Sequence, residues 1–188
     1  MSASPLLVIG LGNPGAEYEG SRHNVGYQVV DALADRLGVS FEHQQNALVG
    51  WGTHEGETVG LALPLTYMNR SGNAVVSLRE QHDLGLDQLL IIVDDLHLPL
   101  GALRLRPNGS SGGHNGLAHI ARRLDTTEYP RLRVGIGNDF PEGEQVDYVL
   151  SPFSDGQKST IRDAITEAGD AILTVAHDDL EAAMNQFN

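Results

Sequence analysis

The tightest constraint on this chain is a short apolar run that ends in a glycine-rich turn. Leu6-Leu-Val-Ile9 reads as a buried strand, and Gly10-Leu11-Gly12-Asn13-Pro14-Gly15 stops it at once. Arg22-His23-Asn24-Val25-Gly26 then opens a segment with apolar residues at 25, 29, 30, 33, 34 and 37, and Gly38 stands ready as a left-handed C-cap. A strand, a rigid turn and an imidazole at a helix start form the kind of crevice in which α/β proteins build sites. Gly12 and Gly15 are both expected to take positive φ in the turn, which holds the Asn13 carboxamide at the sheet edge.

The rest of the pattern extends this beginning. Segments 47–53 and 58–63 read as strands joined at Glu55-Gly56-Glu57, with Pro64 ending the second. Asn73–Arg79 and Asn115–Leu124 have helical spacing, and 155–176 and 178–188 read as helices with acidic outer faces. Ser154 or Asp155 caps the first of these last two, and Asp178 the second. Leu89–Val93 is a continuous apolar run, suited to a central strand. Residues 102–106 and 131–136 alternate, as half-buried strands do. Strands and helices interleave with no linker or repeat. The expected fold is α/β, a single domain over 1–188 with a twisted mixed β-sheet covered by helices on both faces.

Cysteine is absent, which excludes disulfides and thiolate chemistry. The start, Met1-Ser-Ala-Ser-Pro5, has no charged segment before an apolar stretch and does not read as a secretory signal. No run approaches the roughly 18 apolar residues of a membrane span. The expected location is cytoplasmic. Charge is the unusual feature: 25 acidic against 12 basic residues, a formal net charge of -13, with Lys158 the single lysine. Residues 104–133 nevertheless hold Arg104, Arg106, Arg122, Arg123, Arg131 and Arg133 against Asp125 and Glu128. One cationic face on an acidic body leaves room for a polyanionic partner. Lysine depletion with acid enrichment also fits adaptation to a salty cytoplasm, where screening makes acidic repulsion small.

Several polar residues sit in frames that suit chemistry. Gly10-x-Gly12-x-x-Gly15 has dinucleotide-fingerprint spacing, but Pro14 interrupts it and the helical period starts too late; no nucleotide cofactor is expected. His23 can take a proton near neutral pH, and the chain has neither a Gly-x-Ser-x-Gly elbow nor a cysteine, so activated water is the simplest nucleophile. Asp94 and Asp95 end the central strand and should diverge; one of them can support a histidine, as an acceptor for its N–H. Asp94, Asp95 and His97 are a rival metal set without helical spacing, and no metal is expected. Gly109–Gly116 can present backbone N–H groups as an anion or carbonyl-oxygen nest, with His114 and Asn115 at its rigid end. Asn69, leaving a strand within Pro64–Gly72, can cap a helix or face a ligand.

Five ordered segments carry a resemblance. "GLGNPGAEYEGSRHNVG" at 10–26, "PLTYMNRSG" at 64–72, "VDDLHLPLG" at 93–101, "GSSGGHNGL" at 109–117 and "YPRLRVGIG" at 129–137 together resemble the bacterial-type peptidyl-tRNA hydrolase family over nearly the whole chain. That resemblance implies a compact, usually monomeric enzyme without a cofactor. Its substrate would be peptidyl-tRNA, cleaved at the ester between the peptide and the 3′ ribose. By motif, His23 corresponds to the catalytic base, Asp94 to the aspartate supporting it, and Asn13, Asn69 and Asn115 to the site asparagines. Tyr18 corresponds to the aromatic residue near the tRNA 3′ end and Met68 to an apolar wall of the peptide groove. Arg104, Arg106 and Arg133 fall where basic residues often face the tRNA. The chain departs from the family pattern at His97, at Asn138-Asp139 and in the acidic Asp178, Asp179 and Glu181. Asn13, Asn69 or backbone N–H groups could each stabilise an oxyanion, and Asn115 could position water or hold a peptide carbonyl. Plant-organelle relatives that act in intron splicing supply an alternative, a noncatalytic RNA-binding protein of the same fold; a general carboxylesterase is a third class.

Overall fold

Seven strands form one sheet, in the order β2-β3-β4-β1-β5-β7-β6, in the computed structural model, which describes residues 4–188. The reading of the first residues as lacking a secretory signal lies partly outside that range. The strands are β1 (Leu6–Gly10), β2 (Glu42–Gln44), β3 (Ala47–His54), β4 (Glu57–Pro64), β5 (Leu89–Asp95), β6 (Leu103–Arg106) and β7 (Arg131–Gly135). The helices are α1 (Val25–Leu37), α2 (Ser71–Gln81), α3 (Asn115–Leu124), α4 (Gln145–Leu150), α5 (Asp155–His177) and α6 (Leu180–Phe187). β4, β1, β5 and β7 run parallel at the centre, and β2, β3 and β6 add antiparallel edges. No helix among the described residues is long and apolar enough to cross a membrane.

The sheet is apolar on both faces because both are covered. Val8, Leu90, Ile92, Leu132 and Val134 face α1, α5 and α6, while Leu7, Ile9, Ile91 and Val93 face α2 and α3. That double burial is why β1 and β5 read as continuous rather than alternating apolar runs. From β1 the chain passes to β4 on one side and then crosses to β5 on the other. The carboxyl ends of β1 and β5 therefore meet at a switch point, the place where such a sheet opens a crevice.

Two glycines set how closely α1 approaches this crevice. A Cβ on Gly10 would run into the carbonyl oxygen of Gly26, and one on Gly26 would lie 2.5 Å from the carbonyl oxygen of Ile92. Their absence lets the first turn of α1 rest on β1 and β5. Gly15 takes φ 115° as expected, but Gly12 does not take positive φ; a Cβ there would meet the Tyr27 ring at 2.7 Å. Gly12 serves close packing rather than backbone handedness. Gly38 ends α1 at φ 66° and ψ 32°, the left-handed C-cap the sequence called for.

Differences from the sequence reading are local. β2 is three polar residues, two of them exposed, with no alternation to mark them, and α4 is a six-residue helix with too few apolar positions for a period. Asp179 caps α6, accepting from the Ala182 N–H at 2.8 Å, in place of Asp178. At α5, Ser154 is the N-cap, and its own N–H donates to Gln157 Oε1 at 3.1 Å. Asn188 donates to the Leu105 carbonyl and accepts from its N–H, covering the open edge of β6.

α5, α6 and the junction between them turn Asp163, Glu167, Asp178, Asp179 and Glu181 to solvent, and among the described residues only Lys158–Asp155 and Arg36–Asp170 pair an α5 carboxylate with a Lys or Arg. Repulsion across this face weakens as the screening length drops from about 10 Å at 0.1 M salt to about 3 Å at 1 M. The melting temperature is expected to rise from 0.1 to 2 M KCl. A flat or falling curve, measured by circular dichroism, would contradict the salt-adapted reading of the charge.

Candidate active site

Asp94 is 3% exposed at the carboxyl end of β5. Both its oxygens lie 2.9 Å from Nδ1 of His23, and Oδ1 is also 2.8 Å from Nε2 of His114. The protons on both rings can be assigned. Nδ1 of His114 accepts from the N–H groups of Gly116 and Leu117 at 3.1 and 3.3 Å, capping α3. That nitrogen carries no proton, so a neutral His114 ring bears its proton on Nε2 and donates it to Asp94. A carboxylate only accepts, so His23 donates through Nδ1, which leaves its Nε2 without a described protein partner. Burial alone would raise the Asp94 pKa, but electrostatic attraction and hydrogen bonds from the imidazoles of His114 and His23 outweigh it and hold the carboxyl well below the usual range.

Asp95 points the other way, as adjacent strand residues must. Its carboxylate accepts from the His97 N–H at 2.7 Å and faces the Arg133 guanidinium at 3.6 Å. Asp94, Asp95 and His97 therefore do not converge on a metal. His23, Asp94 and His114 bring their donor atoms within 4.8 Å of one another, but the atoms facing each other are joined by hydrogen bonds, two of them through ring N–H groups that would have to lose their protons to ligate.

The carboxamide after β1 is equally fixed. Asn24, 3% exposed, grips the Asn13 backbone: its Oδ1 accepts from the Asn13 N–H at 2.9 Å and its Nδ2 donates to the Asn13 carbonyl at 3.0 Å. Asn13 Oδ1 accepts from the Met68 N–H at 2.7 Å, which fixes the amide orientation and leaves Nδ2 at the cleft with no partner among the described residues. Met68 and Asn69 belong to a 3-10 turn, Met68–Arg70, that leads into α2. Asn69 does not cap α2; its exposed side chain makes no hydrogen bond to a described residue. Asn115, the first residue of α3, is likewise exposed and unbonded.

These side chains line a cleft of about 640 Å³. Asn13, His23, Met68, Asn69, Asp94, Asn115 and Arg133 all reach it, and Leu96, Val146, Val149 and Leu150 add an apolar lining. Tyr18 does not reach it. Tyr18 packs edge-on behind Tyr67, with ring centroids 6.4 Å apart, and Tyr67 stands at the rim with 55% exposure. Arg104 and Arg106 also lie outside the cleft.

The glycine-rich loop is anchored through its carbonyls. Gly109, Ser110 and Gly112 turn their carbonyls to donors: Arg131 at 3.0 Å, Arg133 at 2.6 Å and His97 Nε2 at 3.3 Å. His114 takes two of the first N–H groups of α3, and guanidinium groups anchor the loop by its carbonyls. Arg131, fully buried with its guanidinium 4.1 Å from the Tyr129 ring centroid, is structural and not part of an outer cationic face. Arg133 divides its charge between Asp95 and this loop.

The sequence matches the peptidyl-tRNA hydrolase family over residues 7–188. The chain belongs to this family. It is 66% identical over 188 residues to a peptidyl-tRNA hydrolase of Salinibacter ruber, covering 100% of both chains, and 47% identical over 182 residues to one of Cytophaga hutchinsonii, covering 97% of each. Its fold superposes on the crystal structure of peptidyl-tRNA hydrolase from Acinetobacter baumannii with a TM-score of 0.93, at 35% identity, covering 100% of this chain and 96% of that one. Three contributors to the site in this peptidyl-tRNA hydrolase family member escape sequence reasoning. Asn24 shows there only as a neighbour of His23, Tyr67 only as part of the Pro64–Gly72 segment, and His114 only as a member of the glycine-rich loop, with no link to Asp94. Their roles depend on backbone directions that no spacing reveals.

The proton assignment is directly measurable. Nitrogen-detected NMR is expected to show His114 as the Nε2–H tautomer and His23 as the Nδ1–H tautomer; the reverse for either ring would contradict the site geometry. The folded Asp94 pKa lies below the unfolded one, so its ionised form contributes stability that is complete above about pH 4 and lost as pH falls through the folded value. Asp94→Asn should therefore lose less stability than wild type between pH 4 and 2, as followed by melting curves; equal losses would count against the pairing.

Proposed function

We propose that this protein hydrolyses the ester joining a peptide, or an N-blocked amino acid, to the 3′ ribose of tRNA, with His23 as general base. The observation that carries the mechanism is the His23 ring, tied through Nδ1 to a buried carboxylate with Nε2 open beside the free Asn13 amide. Family membership and the 66% identical relative support the substrate.

In this mechanism Nε2 of His23 takes a proton from water as its oxygen attacks the ester carbonyl carbon. Asp94 stabilises the imidazolium that forms. Negative charge develops on the carbonyl oxygen, and the Asn13 Nδ2 donors, already oriented, are the groups best held to meet it. When the intermediate collapses the carbon–oxygen bond to the ribose breaks, and the proton on His23 passes to the leaving ribose oxygen. Asn69 and Asn115, exposed and unbonded, hold the substrate's polar groups. The apolar wall of Leu96, Val146 and Val149 takes a peptide side chain, and Tyr67, backed by Tyr18, offers a ring to the terminal base. A cationic terminal amine would lose its hydration against that wall, which disfavours a free aminoacyl ester. On this reading the enzyme acts as a monomer in the cytoplasm, where a peptidyl-tRNA substrate would be released from ribosomes.

His23→Ala should lower kcat on N-acetyl-aminoacyl-tRNA by roughly 10²–10⁴, the scale of lost general-base catalysis. More than half of wild-type turnover in that variant would overturn the assignment, and absence of turnover in wild type would favour a noncatalytic RNA binder. Cleavage should continue after dialysis against a strong chelator, with the tRNA folded in monovalent salt; loss of activity restored by a transition metal would refute water activation by imidazole alone.

A further inference from the structure

The arginines between 104 and 133 separate into two groups in space, and a residue from outside that span joins one of them. Arg131 and Arg133 are held by carbonyls of the 109–113 loop, and Arg106 donates to its neighbour's carbonyl at 3.1 Å. Arg122 and Arg123 lie instead in the last turn of α3, exposed, with no hydrogen bond to a described residue. α3 packs against the start of α2 through His119, whose Nδ1 accepts from the Gly72 N–H at 2.9 Å. A Cβ on Gly72 would lie 2.7 Å from the His119 carbonyl oxygen and 2.8 Å from Cγ of Arg123, so this glycine lets the two helices close up. Arg70, just before α2, is exposed and lines the cleft. His119 lies within the field of all three: burial first, then Arg122, Arg123 and Arg70, holds its pKa below the ordinary histidine value.

None of Arg70, Arg122 and Arg123 forms an ion pair among the described residues. In a chain of net charge -13, three unpaired guanidinium groups in one strip make a local field opposite to that of the whole molecule. The strip starts at the cleft, where Asn115 and Arg70 sit, and follows α3 outward for about 10 Å at roughly 1.5 Å per residue. A nucleic acid whose 3′ end lies in the cleft must leave along some surface, and guanidinium forks suit phosphate. We infer that Arg70, Arg122 and Arg123 form a phosphate track on the α2–α3 face along which the tRNA strand leaves the active site. This rests on the hydrolase reading for its substrate but concerns a surface that takes no part in the ester chemistry.

The test measures binding of deacylated tRNA by fluorescence anisotropy over a KCl series, independently of cleavage. The Arg122→Glu, Arg123→Glu double variant should raise Kd about tenfold or more at low salt. Its log–log salt slope should be shallower by about 2, near one unit per lost phosphate contact. Arg122→Lys with Arg123→Lys should recover most of the affinity. If charge reversal lowers the melting temperature, the Arg122→Ala, Arg123→Ala pair should show a smaller shift in the same direction. Wild-type Kd and slope in a folded charge-reversed variant would overturn the track. Wild type that binds tRNA without cleaving its N-acetyl-aminoacyl form would refute the hydrolase reading and leave the track to stand or fall on the Kd shift.

Discussion

A carboxylate withdrawn from water at the end of a strand is stable as an anion only when donors surround it. Asp94 meets that requirement with two imidazoles rather than with a guanidinium or an ammonium. The choice has consequences for both rings. His114 delivers its Nε2 proton to Asp94 because its other nitrogen caps α3, so the start of a helix and the orientation of a buried carboxylate depend on one side chain. His23 then completes the shell through Nδ1 and is left with its basic nitrogen toward the cleft. One buried charge thus links β5, the start of α3 and the 3-10 turn, Arg22–Asn24, that leads into α1.

The amide side of the site follows a similar logic on a backbone scale. Gly10 and Gly26 let α1 rest directly on the sheet, which brings Asn24 within reach of the turn after β1. Asn24 then takes both backbone bonds of Asn13, and the Met68 N–H takes the Asn13 oxygen, so the free Nδ2 arrives with one orientation. A donor oriented before substrate arrives needs little reorganisation when charge develops, and that is where a polar site gains most over water. Asn69 and Asn115, by comparison, are exposed and make no side-chain hydrogen bond to a described residue.

Much of this was legible in the residues. The apolar runs of β1 and β5, the period of α1, the Gly38 cap and the divergence of Asp94 from Asp95 all follow from local chemistry and survive in the fold. His23, Asp94, Asn13, Asn69 and Asn115 come from distant segments, and it was the five ordered motifs, more than any one spacing, that gathered them into a site. The misses share a cause. Arg131 reads as one residue of an alternating strand with a wet face, but that face is covered by the 109–113 loop, whose carbonyls receive the guanidinium. The anchoring of the same loop by its carbonyls was equally hidden, because the arginines that donate to them lie beyond α3. Tyr18 falls behind Tyr67 because ring packing, not sequence position, decides which aromatic meets the cleft.

The central claim is that His23 and Asp94 act as one unit, the carboxylate serving only through the imidazole it holds. A double-mutant cycle on turnover of N-acetyl-aminoacyl-tRNA, using His23→Ala, Asp94→Asn and the pair, tests it most directly. The expected result is strong non-additivity, with the double variant no slower than His23→Ala alone. Losses in kcat that multiply, so that the pair is slower than either single variant by the product of their effects, would contradict the coupling and separate the two residues into independent roles.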